Sequence, residues 1–236
     1  MKKISFLVIA FTTISCNYPK QITLTKLEGS PEYKTSKLSV ENINSNIQEY
    51  SFSFGVEDYE LGIQTQKEFN HTLANSAKGQ HIHFIINNNP YSAHYSENFS
   101  KEMDEGNNVV LAFLSRSYHE SVKNKNAFFL TQIGDGEKID LTNQFLFYSR
   151  PKGTYKGKDT EKLLLDFYLV NTRISATGNK VRLTIQNSEF IIDEWAPYYI
   201  EGLPKGEISI KLELLDEEGD LIDSPFNPSL RKVILE

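Results

Sequence analysis

The chain has one cysteine, Cys16, so no intramolecular disulfide can form and Cys-x-x-Cys chemistry is excluded. It has no apolar run approaching the roughly 20 residues a membrane-crossing helix needs. Its most apolar stretch, Ile4 to Ile14, falls well short of that. Positive charge is in deficit: 25 Lys and Arg stand against 31 Asp and Glu, for a net charge of −6. A generic nucleic-acid surface needs clustered Lys and Arg, so nucleic acid is excluded as a partner. Enzyme signatures are missing too. There is no Gly-x-Ser-x-Gly elbow and no phosphate-binding glycine loop. His119-Glu120-Ser121-Val122-Lys123 ends in Lys where a zinc-protease helix needs its second His. The acidic run Asp216 to Asp220 lacks the spacing of a calcium loop. The chain therefore reads as a binding protein, not an enzyme. No amphipathic helix of useful length is evident either.

Tyr (12) and Phe (15) are plentiful while Met (2) and Trp (1) are scarce, a bias that suits strands. Tyr50, Phe52 and Phe54 alternate with serines, and Ile82, Phe84 and Ile86 with His81, His83 and Ile85. Val181, Leu183 and Ile185 alternate with Lys180, Arg182 and Thr184. Ile208, Ile210, Leu212 and Leu214 do the same with polar neighbours. Period two places one face of each strand in a core. Turn residues separate the runs at Asn87 to Pro90, Gly134 to Gly136 and Ala176 to Asn179.

The two halves of the body repeat one another. Gly79 to Asn88 aligns with Gly178 to Asn187 at an offset of 99, and Glu105-Gly106-Asn107 with Lys205-Gly206-Glu207 at 100. Short strands and frequent turns in duplicate predict an all-β fold of two tandem immunoglobulin-like β-sandwich domains. The expected division is residues 41–150 for the first sandwich and 151–236 for the second.

The N-terminal end reads as an export segment over residues 1–15. Lys2 and Lys3 form a basic start, and the apolar stretch runs into Thr13-Ile14-Ser15-Cys16. This resembles the lipobox of bacterial lipoproteins, in which the cysteine becomes the lipidated first residue; Thr13 departs from the usual Leu. The resemblance implies a membrane anchor on Cys16. Removing Lys2 and Lys3 with the segment leaves a net charge of −8. Residues 16–40, rich in Lys, Thr, Ser, Pro and Glu, read as the lipidated cysteine and a flexible tether. Asn17-Tyr18-Pro19-Lys20 lacks an acidic surface-export run, which favours an outer-membrane anchor with the body in the periplasm over the alternative, a body on the cell surface.

The body resembles a group of Bacteroidota lipoproteins with tandem immunoglobulin-like repeats. The likeness rests on Gly79-Gln80-His81-Ile82-His83, on Leu114-Ser115-Arg116-Ser117-Tyr118-His119-Glu120 and on Trp195 to Pro204. It implies a fold and an address in the cell envelope, without an activity.

Three groups of residues could form a site. All five histidines, His71, His81, His83, His94 and His119, lie in the first repeat. His81 and His83 leave one face of one strand, the face opposite the core. With His94 and His119 they offer imidazoles suited to copper or zinc, which Glu97, Glu102 or Met103 could complete. The second repeat carries Lys180 and Arg182 at the matching positions. The competing reading is that these histidines face solvent or pack between the repeats. A second group is Ser115, Arg116 and Ser117, where an Arg fork could hold a phosphate or carboxylate. It resembles the Ser-Arg-x-His stretch of FHA phosphopeptide-binding domains, with one residue too many before His119. The plainer reading is a polar loop tying down its own backbone. A third is Trp195 with Tyr198, aromatics that could stack on a ligand but more often fill a core.

Overall fold

The computed structural model describes residues 21–70 and 72–236. The export segment, Cys16 and His71 lie outside these residues. The chain begins with β1 (Thr23–Lys26) and then builds one sandwich from seven strands. These are β2 (Lys37–Asn46), β3 (Glu49–Glu57), β4 (His81–Ile86), β5 (Ser92–His94), β6 (Asn98–Glu102), β7 (Asn108–Ser115) and β8 (Phe128–Ile133). The second sandwich holds β9 (Phe145–Arg150), β10 (Gly153–Tyr155), β11 (Leu163–Val170), β12 (Lys180–Ile185), β13 (Ser188–Ile192), β14 (Tyr198–Glu201), β15 (Gly206–Leu215) and β16 (Ser229–Leu235). Among the described residues no helix is long and apolar enough to cross a membrane.

The two sandwiches match strand for strand. In the first, β2-β3-β6 faces β5-β4-β7-β8; in the second, β9-β11-β14 faces β13-β12-β15-β16. This is the two-sheet plan of an immunoglobulin-like sandwich. Register follows the sequence offset: His81 pairs Ser115, and Lys180 pairs Leu215. The turns agree as well. Arg116 N donates to Glu120 O and Asp216 N to Asp220 O, while Val122 N donates to Leu114 O and Ile222 N to Leu214 O. The second sandwich adds β10, parallel to β16, and takes β1 as an extra strand beside β14.

Two expectations change. The tether expected over residues 16–40 is ordered from β1 onward. Thr23 to Lys26 pair with Glu201 to Tyr198, and Leu27 is buried with Leu73, Tyr118 and Leu164. Only Ile22 and Leu24 alternate, too briefly to stand out in a polar segment, yet with Leu27 just beyond them they suffice for an edge strand. The boundary expected at 150/151 also moves. β9 pairs with β11, so the second sandwich begins by Phe145 and reaches back to β1.

Each sandwich has its own core. Ile82, Phe84, Val110, Ala112 and Leu114 fill the first with Phe52 and Phe54. Leu146, Leu165, Phe167, Val181, Leu183, Leu212 and Val233 are among those filling the second. A third cluster joins them: Ile85, Val109, Leu111 and Phe113 from one side meet Phe145, Phe147, Tyr168 and Val170 from the other. Phe113 stacks on Tyr168 with ring centroids 4.6 Å apart. β7, β9 and β11 are therefore buried on both faces. What reads as the solvent face of the first sandwich is the junction face, and the histidines of β4 stand on it.

Candidate functional site

His81 and His83 leave β4 toward the junction and are fully buried. Gly79, two residues before, sits at φ +85°, and a Cβ there would come within 2.4 Å of Ile63 O. Only glycine allows this approach, which brings Gly79 O to His81. His81 Nδ1–H donates to that carbonyl at 2.8 Å, which fixes the tautomer and leaves Nε2 as the free lone pair. His83 Nδ1 lies 3.2 Å from Ser149 Oγ across the junction. Ser149 is the extra residue of a β-bulge in β9, where pairing jumps from Asp166–Arg150 to Phe167–Tyr148. Bulges commonly re-aim a side chain in this way.

His119 comes from the turn after β7. Its φ of 71° is left-handed, a conformation uncommon outside glycine though more tolerable for His than for most residues. From there Nδ1 reaches 3.1 Å from His81 Nε2, and His83 Nε2 lies 2.9 Å from the same atom. Ligand nitrogens of the three imidazoles all fall within 4.8 Å of one another. Two hydroxyls flank them: Tyr91 Oη is 3.1 Å from His119 Nδ1, and Ser115 Oγ is 3.1 Å from His83 Nε2.

Burial holds the imidazoles neutral. It brings His81 down to about 4, assisted by the charges of Arg150 and Lys152 and opposed by the bond to Gly79. It lowers His83 and His119 as well, with the same two cations adding to the effect. Neutral imidazole is the metal-binding form. A tetrahedral zinc with Zn–N bonds of about 2.0–2.1 Å sets its nitrogens somewhat over 3 Å apart; the two spacings to His81 Nε2 are close to that, while the set as a whole spans up to 4.8 Å.

Of the expected ligands, His81, His83 and His119 come together and His94 does not. His94 stacks on Phe99 at 3.5 Å and bonds Ser92 Oγ, because its position on β5 turns it toward the first core. Met103 is buried in that core, while Glu102 is exposed at the end of β6 and Glu97 in the bend before it.

Arg116 is not an open anion fork. Its guanidinium donates to Pro31 O and Ser121 O and pairs with Glu120 at 2.8 Å, with both side chains buried. Ser117 is committed to Thr65: its N–H donates to Thr65 Oγ1, and its Oγ accepts from Thr65 N. Ser115 belongs to the histidine cluster instead. Trp195 packs at the junction, with Nε1 donating to Phe167 O at 3.0 Å and the ring edge-on to Tyr168. Tyr198 Oη donates to Glu194 O, tying a turn. Arg116 and Trp195 line one cleft of about 550 Å³, whose lysines and glutamates leave it mixed in charge.

Sequence reasoning missed Tyr91, Arg150 and Lys152, which border the histidines, and Arg231, which lies over Tyr148 and bonds Asn88 O. The signal for Arg231 was present: it occupies an inward position of β16, in line with Val233 and Leu235.

No protein-family model matches the chain, and no curated protein matches it in sequence. Among solved structures it is similar to the fibronectin(III)-like modules of Clostridium thermocellum CbhA. The two are 9% identical over 84% of this chain and 94% of that one, with a TM-score of 0.31. It is also similar to the FN1–FN3 domains of chicken CNTN1, 10% identical over 89% and 68%, with a TM-score of 0.23.

Proposed function

We propose that this is a lipid-anchored, non-catalytic protein of the cell envelope that binds a copper or zinc ion through His81, His83 and His119. The observation that carries the metal reading is the convergence of three neutral imidazoles, His81 and His83 fully buried on β4 and His119 half-buried in the turn after β7. Imidazole donors suit both metals. His81 and His83 already have their second nitrogens on Gly79 O and Ser149 Oγ, the kind of outer contact that orients a metal ligand. Tyr91 Oη or Ser115 Oγ is near enough to complete the set. The anchor reading rests on Lys2, Lys3, the apolar Ile4 to Ile14 and Thr13 to Cys16.

The test is metal analysis of the soluble body, residues 17–236, followed by copper and zinc titration of wild type and His81→Ala/His83→Ala. Stoichiometric binding lost in the double variant is the expected result. Binding that is absent, or unchanged in the variant, removes the metal and leaves a two-sandwich module whose ligand is an envelope partner. The full chain prepared from membranes and weighed by mass spectrometry reports the acyl mass on Cys16.

A further inference from the structure

Three cations of the second sandwich meet at the junction without a counter-ion. Arg150 ends β9, Lys152 follows it by two residues, and Arg231 points inward from β16. The two arginines are only 8% and 7% exposed. Among the described residues no carboxylate lies within ion-pair distance of any of the three. The molecule's other deeply placed cations are paired: Arg116 with Glu120, and Lys123 with Asp166.

Neutral groups hold the three in place. Arg150 Nη1 donates to Tyr155 Oη at 2.9 Å, Lys152 Nζ to Tyr91 O at 2.7 Å, and Arg231 Nη2 to Asn88 O at 2.6 Å. Arg150 and Lys152 both lie over the Tyr91 ring, at 5.3 and 3.9 Å from its centroid, and Arg231 lies over Tyr148 at 4.8 Å. Aromatic faces recover part of the desolvation cost of a cation. They leave Arg150 Nε, Arg231 Nη1 and Tyr148 Oη buried without a hydrogen-bond partner. A buried donor left unpaired keeps its full desolvation penalty, which is larger when it is charged. Burial lowers Lys152 to about 8, and the charges of Arg150 and Arg231 add to the effect.

We propose that Arg150, Lys152 and Arg231 form an oxyanion site, taking a phosphate-class dianion either free or as the terminal phosphate of a larger ligand. Guanidinium forks fit such oxygens, and the orphaned donors at Arg150, Arg231 and Tyr148 supply hydrogen bonds beside the charge. A dianion offsets most of a local charge of three. The site borders the histidines through Tyr91, whose ring stacks on His83 at 3.5 Å. It does not depend on metal binding.

The test is calorimetric titration and thermal melting of the metal-free protein, in chelator, with inorganic phosphate against sodium chloride at matched ionic strength. Phosphate is expected to bind and to raise the melting temperature beyond the salt control. Lys152→Gln, at the more exposed member, is expected to weaken binding by about tenfold or more, as is Arg231→Gln. Should Arg231→Gln fail to fold, Lys152→Gln alone decides. Glycerol 3-phosphate forms a second arm: binding as well as, or in place of, phosphate identifies a terminal phosphate group, and phosphate alone identifies the free anion. No response to either compound beyond the salt control, or an undiminished response in Lys152→Gln, overturns the proposal.

Discussion

At the scale of the residue, His119 is the informative position. Its turn is superposable in hydrogen bonding on the turn at Asp216 to Asp220, and the residue matching His119 is Gly219, at φ 91°. The first sandwich thus carries an imidazole where its counterpart takes the unstrained solution. A left-handed non-glycine residue costs on the order of 1 kcal/mol or more. His119→Gly should therefore leave the urea stability of the metal-free protein within about 1 kcal/mol of wild type, relief of strain offsetting the looser unfolded chain. The same substitution should weaken metal affinity by about 100-fold, in line with loss of a ligand. An unchanged affinity would remove His119 from the site. The buried imidazoles also fix a pH response. In the metal-free fold His81 is held down to about 4, and His83 and His119 are lowered by the same burial and by Arg150 and Lys152. In the unfolded chain each titrates near about 6.5. Below that pH the unfolded state takes up protons that the folded state refuses, so stability falls as acid is added and is flat above it. Each histidine contributes up to about 1.4 kcal/mol per pH unit in that window. Urea midpoints measured from about pH 7.5 down to pH 5 should fall with an increasing slope below pH 6.5; a flat profile would contradict the burial.

At the scale of the element, alternation was enough to place the core face of β4, β12 and β15. It could not say what covers the other face. The signal lay in the unbroken runs: Val109 to Leu114, Phe145 to Tyr148 and Leu163 to Leu165 are apolar at every position, the pattern of strands buried on both sides. His81 and His83 concealed it in β4, since polar residues at alternate positions ordinarily mean solvent. The Ser149 bulge had no sequence signal, because its extra residue is defined only by its pairing partner. The Arg116 fork was legible as chemistry but not as geometry. Its partners Pro31, Glu120 and Ser121 lie partly in a segment that composition marks as loose.

At the scale of the whole molecule, the repeat predicts two units, and the shared cluster makes them interdependent. Phe113 and Tyr168 are central to that cluster. Deleting a buried aromatic costs about 3–5 kcal/mol. Phe113→Ala should accordingly convert one cooperative calorimetric transition into two, as the sandwiches lose their common face. A single transition at a lower temperature would mean that the remaining contacts, including Asp166 with Ser121 and Lys123, still couple them.

The docking of β1 also sets a distance. From Cys16 to Thr23 is seven residues, and extended chain advances at most about 3.6 Å per residue, so the span is about 25 Å. With the proposed lipid on Cys16, the second sandwich is moored close against the bilayer, like a boat on a short line. Its working radius is then at most about 25 Å, and whatever ion or anion it takes is met close to the membrane surface.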